Sequence, residues 1–129
     1  MWSSRFFTLE EFCYSNTAVI YDLDNTLPSC YLANANIFCC LVLDFLRFRL
    51  GRPLVISSGY RSDAVNAAVH GAVNSLHLKG LAADIPFSVN GLDVSFFDCL
   101  SFYNGVISFE KIVHNTDYIH IGIKSILLK

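Results

Sequence analysis

Residues 75–85 read Ser75-Leu76-His77-Leu78-Lys79-Gly80-Leu81-Ala82-Ala83-Asp84-Ile85, and they hold two metal-capable side chains, His77 and Asp84, seven positions apart. On a helix that spacing puts both on one face but about 10.5 Å apart along the axis. One ion with ligand bonds of about 2 Å cannot bridge that distance. On an uninterrupted strand the odd spacing points them to opposite faces. Gly80 removes the conflict, because it permits a turn that folds His77 back beside a strand carrying Asp84. The stretch therefore reads as a turn and then a strand, Leu81 to Ile85, stopped by Pro86. Within the strand Leu81, Ala83 and Ile85 face the core, with Ala82 and Asp84 on the other side. The small Ala82 leaves room beside the carboxylate for an ion.

Downstream, Ile119, Ile121 and Ile123 alternate with Tyr118, His120 and Gly122, so a strand over Tyr118–Ile123 puts His120 on the face away from the core. A partner strand is expected over Val106–Val113, across the polar turn Asn115-Thr116-Asp117. Two imidazoles and one carboxylate, with a fourth position open to water, make a zinc site of the hydrolytic kind. Spacing by itself also accommodates a loop histidine at 77, a surface or capping acid at 84 and a satisfied sheet histidine at 120.

Upstream, Thr8-Leu9-Glu10-Glu11 forms a capping box that opens a short helix to about Tyr14. Apolar residues at three-and-four spacing predict one long helix over Ser29–Leu50, closed by Gly51 and Pro53. Leu54–Ser57 is expected to be a strand, followed by a helix that Ser62 or Asp63 caps and that ends near Gly71. Val94–Tyr103 is expected to be helical. Helices early and strands late imply an α+β fold: a small antiparallel sheet packed against several helices. The 129 residues suit a single domain, 1–129.

Composition narrows the function. A net charge of −2 without a basic run argues against nucleic acid as a partner. The longest uncharged run, Asn25 to Leu43, contains Pro28 and three Asn, so no membrane span is expected. The N-terminal segment has no apolar h-region, so no signal peptide is expected. The five Cys lack metal spacing and read as buried free thiols of a reducing compartment.

The set Ser75, His77, Gly80, Ala82 and Asp84, spaced S-x-H-x-x-G-x-A-x-D, resembles the signature of zinc D-alanyl-D-alanine peptidases. These include D,D-carboxypeptidases and phage endolysins that cut peptidoglycan peptides. Asp117-Tyr118-Ile119-His120 looks like their third-ligand segment, and Ser58-Gly59-Tyr60-Arg61-Ser62 is similar to the segment with the substrate-binding Arg. The resemblance runs from about Phe7 to Ile123. It implies a hedgehog/D,D-peptidase-like fold and one Zn²⁺ held by His77, Asp84 and His120. That ion would lower the pKa of a water to about 7 and polarise the scissile carbonyl. It further implies a role for Arg61 in holding a substrate carboxylate or oxyanion, with Ser75 and Tyr60 as further substrate contacts. The family places a Glu near the third ligand as general base, often where this chain has Asp117. Some relatives place the acid at the end of the preceding strand, here His114 and Asn115, and Glu110 is a more distant candidate. Asp117 is the expected base. A monomer acting on the bacterial wall is expected, as a phage lysin or virion component. The hedgehog signalling domain, similar in fold, offers the alternative of a zinc-binding module without activity.

A second resemblance competes. Val19-Ile20-Tyr21-Asp22-Leu23-Asp24-Asn25-Thr26-Leu27 looks like the nucleophile strand of haloacid dehalogenase-type phosphatases, with Asp22 as phosphoryl acceptor and Asp24 as acid. Ser57, Lys79 and the pair Asp93 and Asp98 would have to complete that site. It leaves His77, Asp84 and His120 without a role. The peptidase family often carries an I-D-N-T-P-like segment at this place, so Asp24-Asn25-Thr26 is expected to be a turn before the long helix.

Overall fold

The computed structural model describes residues 1–127. Thr8 and Glu11 close the expected capping box around helix α1, Leu9–Cys13, which buries Phe12 completely. A second helix, α2, Asn16–Tyr21, starts at Ser15, whose side chain accepts from the Ala18 N–H, and ends at Asp22 in the left-handed region, φ 53°. This α2 contains the apolar run that looked like a phosphatase strand. Val19, Ile20 and Tyr21 are instead about two-thirds exposed on a helix (66, 65 and 66 %), outside any sheet. Of the residues needed to complete a phosphatase site, Asp93 caps the turn of Ser95, and Ser57 donates to the carbonyl of Asp84.

The following Asp24-Asn25-Thr26 is a structural clip. Asp24 Oδ1 accepts from the Thr26 amide and hydroxyl, which hold its carboxyl below the ordinary range. Asn25 donates to the carbonyls of Cys13 and Tyr60 and accepts from the Ser62 N–H at 2.7 Å. It thereby ties the end of α1 to the segment that carries Arg61.

The long helix runs from Ser29 to Leu50 as expected. It loosens to a π-type turn over Cys39–Leu43, where the Asp44 N–H reaches back to the Cys39 carbonyl, and it stops at Gly51, φ 75°. By length and composition it is apolar enough to cross a membrane. Here one stripe of it, Ala35, Phe38, Cys39, Val42, Leu43 and Leu46, is fully buried in the core. On another side the Asp44 carboxylate takes the backbone of Arg5 and Phe6.

Strands β1 (Ala82–Pro86), β2 (Ile107–His114) and β3 (Tyr118–Ile126) form an antiparallel sheet in the order β1-β3-β2. Asp84 and Ile112 both stand opposite His120, Glu110 stands opposite Gly122, and His114 opposite Tyr118. Ile85, Ile119, Ile121 and Ile123 turn their side chains into the same cluster as the long helix, Phe12 and Phe97. That leaves the opposite face for the polar residues.

Leu54–Ser57 differs from expectation. It forms no strand, because its backbone groups are taken by the buried side chain of Asn90, which accepts from the Val55 N–H and donates to the Val55 carbonyl. It meets the sheet at Asp84, whose carbonyl accepts from the Ser57 N–H and hydroxyl, and Ser58 forms an isolated bridge to the same residue. Val94–Tyr103 is helical, with 3-10 geometry. The five thiols are free, but only Cys39 is buried and Cys30 is exposed, which narrows the expectation of buried cysteines. Burial pushes the Cys13 thiol up to about 11 and also raises Cys39, so neither is a ready nucleophile.

Candidate metal centre and cleft

Gly80 adopts φ 72° and ends a 3-10 turn, Leu76–Lys79, whose N-cap, Ser75, accepts from the His77 N–H at 3.2 Å. The turn lays His77 over the sheet, as its spacing predicted. Gly122 permits this approach: a Cβ there would lie 2.7 Å from Leu76 Cδ1. The space over Gly122 is thus occupied by Leu76, and Ala82, fully buried, is not among the residues lining the cleft. His77, Asp84 and His120 are all buried.

Their inward atoms form a near-equilateral triangle. His77 Nε2 lies 3.1 Å from Asp84 Oδ1, His120 Nδ1 lies 3.1 Å from the same oxygen, and the two nitrogens are 3.2 Å apart. Three ligands of a tetrahedral zinc with bonds near 2.05 Å would be about 3.3 Å apart. The outward atoms determine what the triangle offers. His77 Nδ1 donates to the Gly59 carbonyl at 2.6 Å, and His120 Nε2 donates to Glu110 Oε1 at 2.7 Å. Each ring proton is used on the outside, so both neutral imidazoles turn a lone pair inward to meet an acidic oxygen. Three acceptors so close to one another require a cation between them. The donor set, two nitrogens and one carboxylate oxygen, fits zinc.

A proton competes for the same triangle. Burial opposes a charged His120, but Asp84 and Glu110 at its two nitrogens outweigh burial and raise its pKa. Burial likewise opposes ionisation of Asp84. The contacts from His120 and His77 and the charge of Arg61 outweigh it, and the carboxyl stays well below the usual range. Metal uptake here is accordingly coupled to proton release.

Arg61 is half-buried and already occupied. Nη2 pairs with Asp84 Oδ2 at 3.0 Å, Nη1 donates to Asn66 Oδ1 and Nε to Ser58 Oγ, both at 3.2 Å. Buried Asn66 in turn donates to the Ala72 carbonyl. The two Asp84 oxygens are thus divided, one toward the histidines and one toward Arg61. Sequence reading missed Asn66, the tie from Asn25 to Tyr60 and Ser62, and the Glu110–His120 bond; the Asn25 tie joins distant segments, and the others depend on how a turn and two strands fold back.

A cleft of about 420 Å³ opens above the triangle, and every histidine of the chain, 70, 77, 114 and 120, lines it. Arg61, Ser75, Glu110 and Tyr118 line it as well. Two predicted residues are not brought there. Asp117 sits exposed in the β2–β3 turn, one residue out of phase with Tyr118 and His120, and is not among the residues lining the cleft. Tyr60 is 4 % exposed, because its N–H bonds the Phe12 carbonyl and draws it to α1; it lines a separate pocket with Tyr31 and Lys79. His70 falls inside the helix expected to end near Gly71, but it lies beyond the observed Asp63–Ala68 helix at φ 58° and lines the cleft.

Gly59 is where packing tolerates least. A Cβ there would come within 2.2 Å of the Phe12 carbonyl oxygen, a backbone atom that cannot step aside. We expect Gly59→Ala to lower stability by about 1–3 kcal/mol, the usual cost of overpacking. Urea denaturation checks this, and a midpoint equal to wild type would refute the tight contact.

Asp84 and His120 on the three-stranded sheet and His77 on the turn laid over it form, at the floor of an open cleft, a buried group whose ligand atoms lie close enough together to hold one metal ion. The chain belongs to the Peptidase M15 family, whose match covers residues 5–122. The resemblance to zinc D-alanyl-D-alanine peptidases seen in residues 58–62, 75–84 and 117–120 therefore holds across nearly the whole chain. No curated protein matches it.

Proposed function

We propose that the protein is a zinc metallopeptidase that hydrolyses peptide bonds in bacterial peptidoglycan stem peptides, as a D,D-carboxypeptidase or an endopeptidase. The observation that carries the metal assignment is the outward contact of each ring: His77 Nδ1 faces the Gly59 carbonyl and His120 Nε2 the Glu110 carboxylate, so each neutral imidazole that donates there leaves a lone pair for the triangle. In this reading one Zn²⁺ per chain is held by His77 Nε2, Asp84 Oδ1 and His120 Nδ1. When bound, it supplies a Lewis acid for the scissile carbonyl and an acidified water.

The remaining roles fall to the chain's own groups. Arg61 holds Asp84 in place, and each of its Nη atoms carries a second N–H available to a substrate carboxylate or a developing oxyanion at the cleft floor. Ser75 holds the His77 turn by accepting its N–H. Glu110 orients His120, a bond of the kind whose loss costs metal sites about 10–100-fold in affinity. Action at the bacterial wall, by a lysin or a virion component, follows from the substrate class.

One observation favours a second reading, a zinc-binding module without turnover. Among the cleft residues the only carboxylates are Asp84 and Glu110, and both are already engaged. Digestion of purified peptidoglycan and of a D-Ala-D-Ala-ended pentapeptide by zinc-loaded protein, followed by mass spectrometry, separates the two. Loss of a terminal D-Ala indicates a carboxypeptidase, and opened cross-links or shortened stems indicate an endopeptidase. Stoichiometric zinc with no cleavage of either substrate would establish the inactive module.

A further inference from the structure

We propose that the proton acceptor of this cleft is the imidazole of His114, a group that replaces the expected carboxylate. The inference rests on the metallopeptidase reading and deepens it. Hydrolysis needs a group to take a proton from the attacking water and pass it to the departing amine. The cleft's titratable side chains outside the metal triangle are Arg61, His70, Glu110, His114 and Tyr118. Arg61 is a permanent cation and has no lone pair to offer. Glu110 Oε1 is held 2.7 Å from His120 Nε2, on the side of that ring turned away from the triangle. Tyr118 is a phenol, which keeps its proton near neutral pH and has no basic lone pair to offer.

The two remaining groups are the imidazoles of His70 and His114, and they differ in how they are held. The His70 ring has no hydrogen-bonded or stacked partner among the described residues, and its backbone sits at a left-handed position in a turn. His114 closes strand β2 directly opposite Tyr118 in the register. Its ring stacks on that phenol with centroids 4.4 Å apart and planes 13° from parallel. Strand parity puts it on the same sheet face as His120 and Glu110. A ring fixed in this way is positioned before substrate arrives, which general-base catalysis rewards.

The step balances without any further reactant. Water oxygen bonds to the carbonyl carbon while one water proton moves to a ring nitrogen of His114. The C–N bond then breaks and the nitrogen takes that proton; the second water proton leaves the new carboxyl group for the amine, so one water molecule is consumed to give a carboxylate and an ammonium.

The test compares variants in zinc content, melting temperature and turnover. His114→Ala and His114→Gln should bind zinc within a few-fold of wild type, since His114 is outside the triangle, and should lose about 10²–10⁴-fold in kcat. Added imidazole should restore part of the His114→Ala rate, a rescue that a packing role would not give. His114→Glu should recover turnover, because it supplies a carboxylate at the same place. Glu110→Gln should behave in the opposite sense, with zinc bound more weakly and turnover recovering at excess zinc. Wild-type kcat in His114→Ala, or a loss that neither imidazole nor Glu restores, would overturn the assignment. No turnover by zinc-loaded wild-type protein would overturn the peptidase reading itself.

Discussion

Wild-type protein is expected to hold one zinc per chain through exhaustive dialysis, and His120→Ala is expected to hold none. Two protein ligands remain in that variant, His77 and Asp84, and the inward lone pair of His120 Nδ1 is gone. Zinc sites of hydrolases rest on three protein ligands, so retention after dialysis should fall from stoichiometric to background. The same loss shows in stability. An ion that binds only the folded state stabilises it by RT ln(1 + [Zn]/Kd), about 4 kcal/mol at a thousand-fold excess over Kd. Melting temperature should rise with zinc in the wild type and not respond in His120→Ala. Elemental analysis and paired thermal scans with chelator and with zinc measure both effects. Stoichiometric zinc in dialysed His120→Ala would sink the ligand set.

The second large effect is expected at Arg61. Its ion pair with Asp84 is nearly dry, with side chains 15 % and 8 % exposed. Removing one partner of such a pair leaves a buried charge uncompensated and typically costs about 3–5 kcal/mol. Arg61→Ala should show that loss in chelator, where no metal ion can replace the missing cation. With zinc present the loss should be smaller, because the ion then neutralises Asp84. Arg61→Lys should lie between the two, since an ammonium keeps the charge but cannot span Asp84, Asn66 and Ser58 as the guanidinium fork does. Urea titrations of the three proteins in chelator and in zinc provide the measurement. A zinc-independent loss would show that Arg61 acts through Asn66 and Ser58 rather than through Asp84.

Much of this was legible in the chain because the signals are local. Thr8 and Glu11 lie three residues apart and close a box that needs nothing else. Gly80 imposes the turn between His77 and Asp84 through its own φ. The isoleucine alternation of β3 fixes which way His120 points, since one face of the sheet had to be buried. The phosphatase resemblance could be weighed only partly from sequence. An apolar triplet such as Val19-Ile20-Tyr21 suits a buried strand, and only the cap at Ser15 hints at the short exposed helix it forms.

The sequence by itself determined the capping box of α1, the long helix, the pairing of the last two strands and the three candidate ligands, because each follows from φ preferences, capping or hydrophobic periodicity. Only the tertiary structure decided the rest. It released Leu54–Ser57 from the sheet, since Asn90 arrives from a distant turn to take the backbone of Val55. It placed Tyr60 in the interior and Asp117 outside the cleft, and it set Glu110 behind His120 and His114 within the cleft. A side chain's role in a proton-transfer site depends on which polar atoms from other strands meet it within about 3 Å, and spacing along one chain does not encode that meeting.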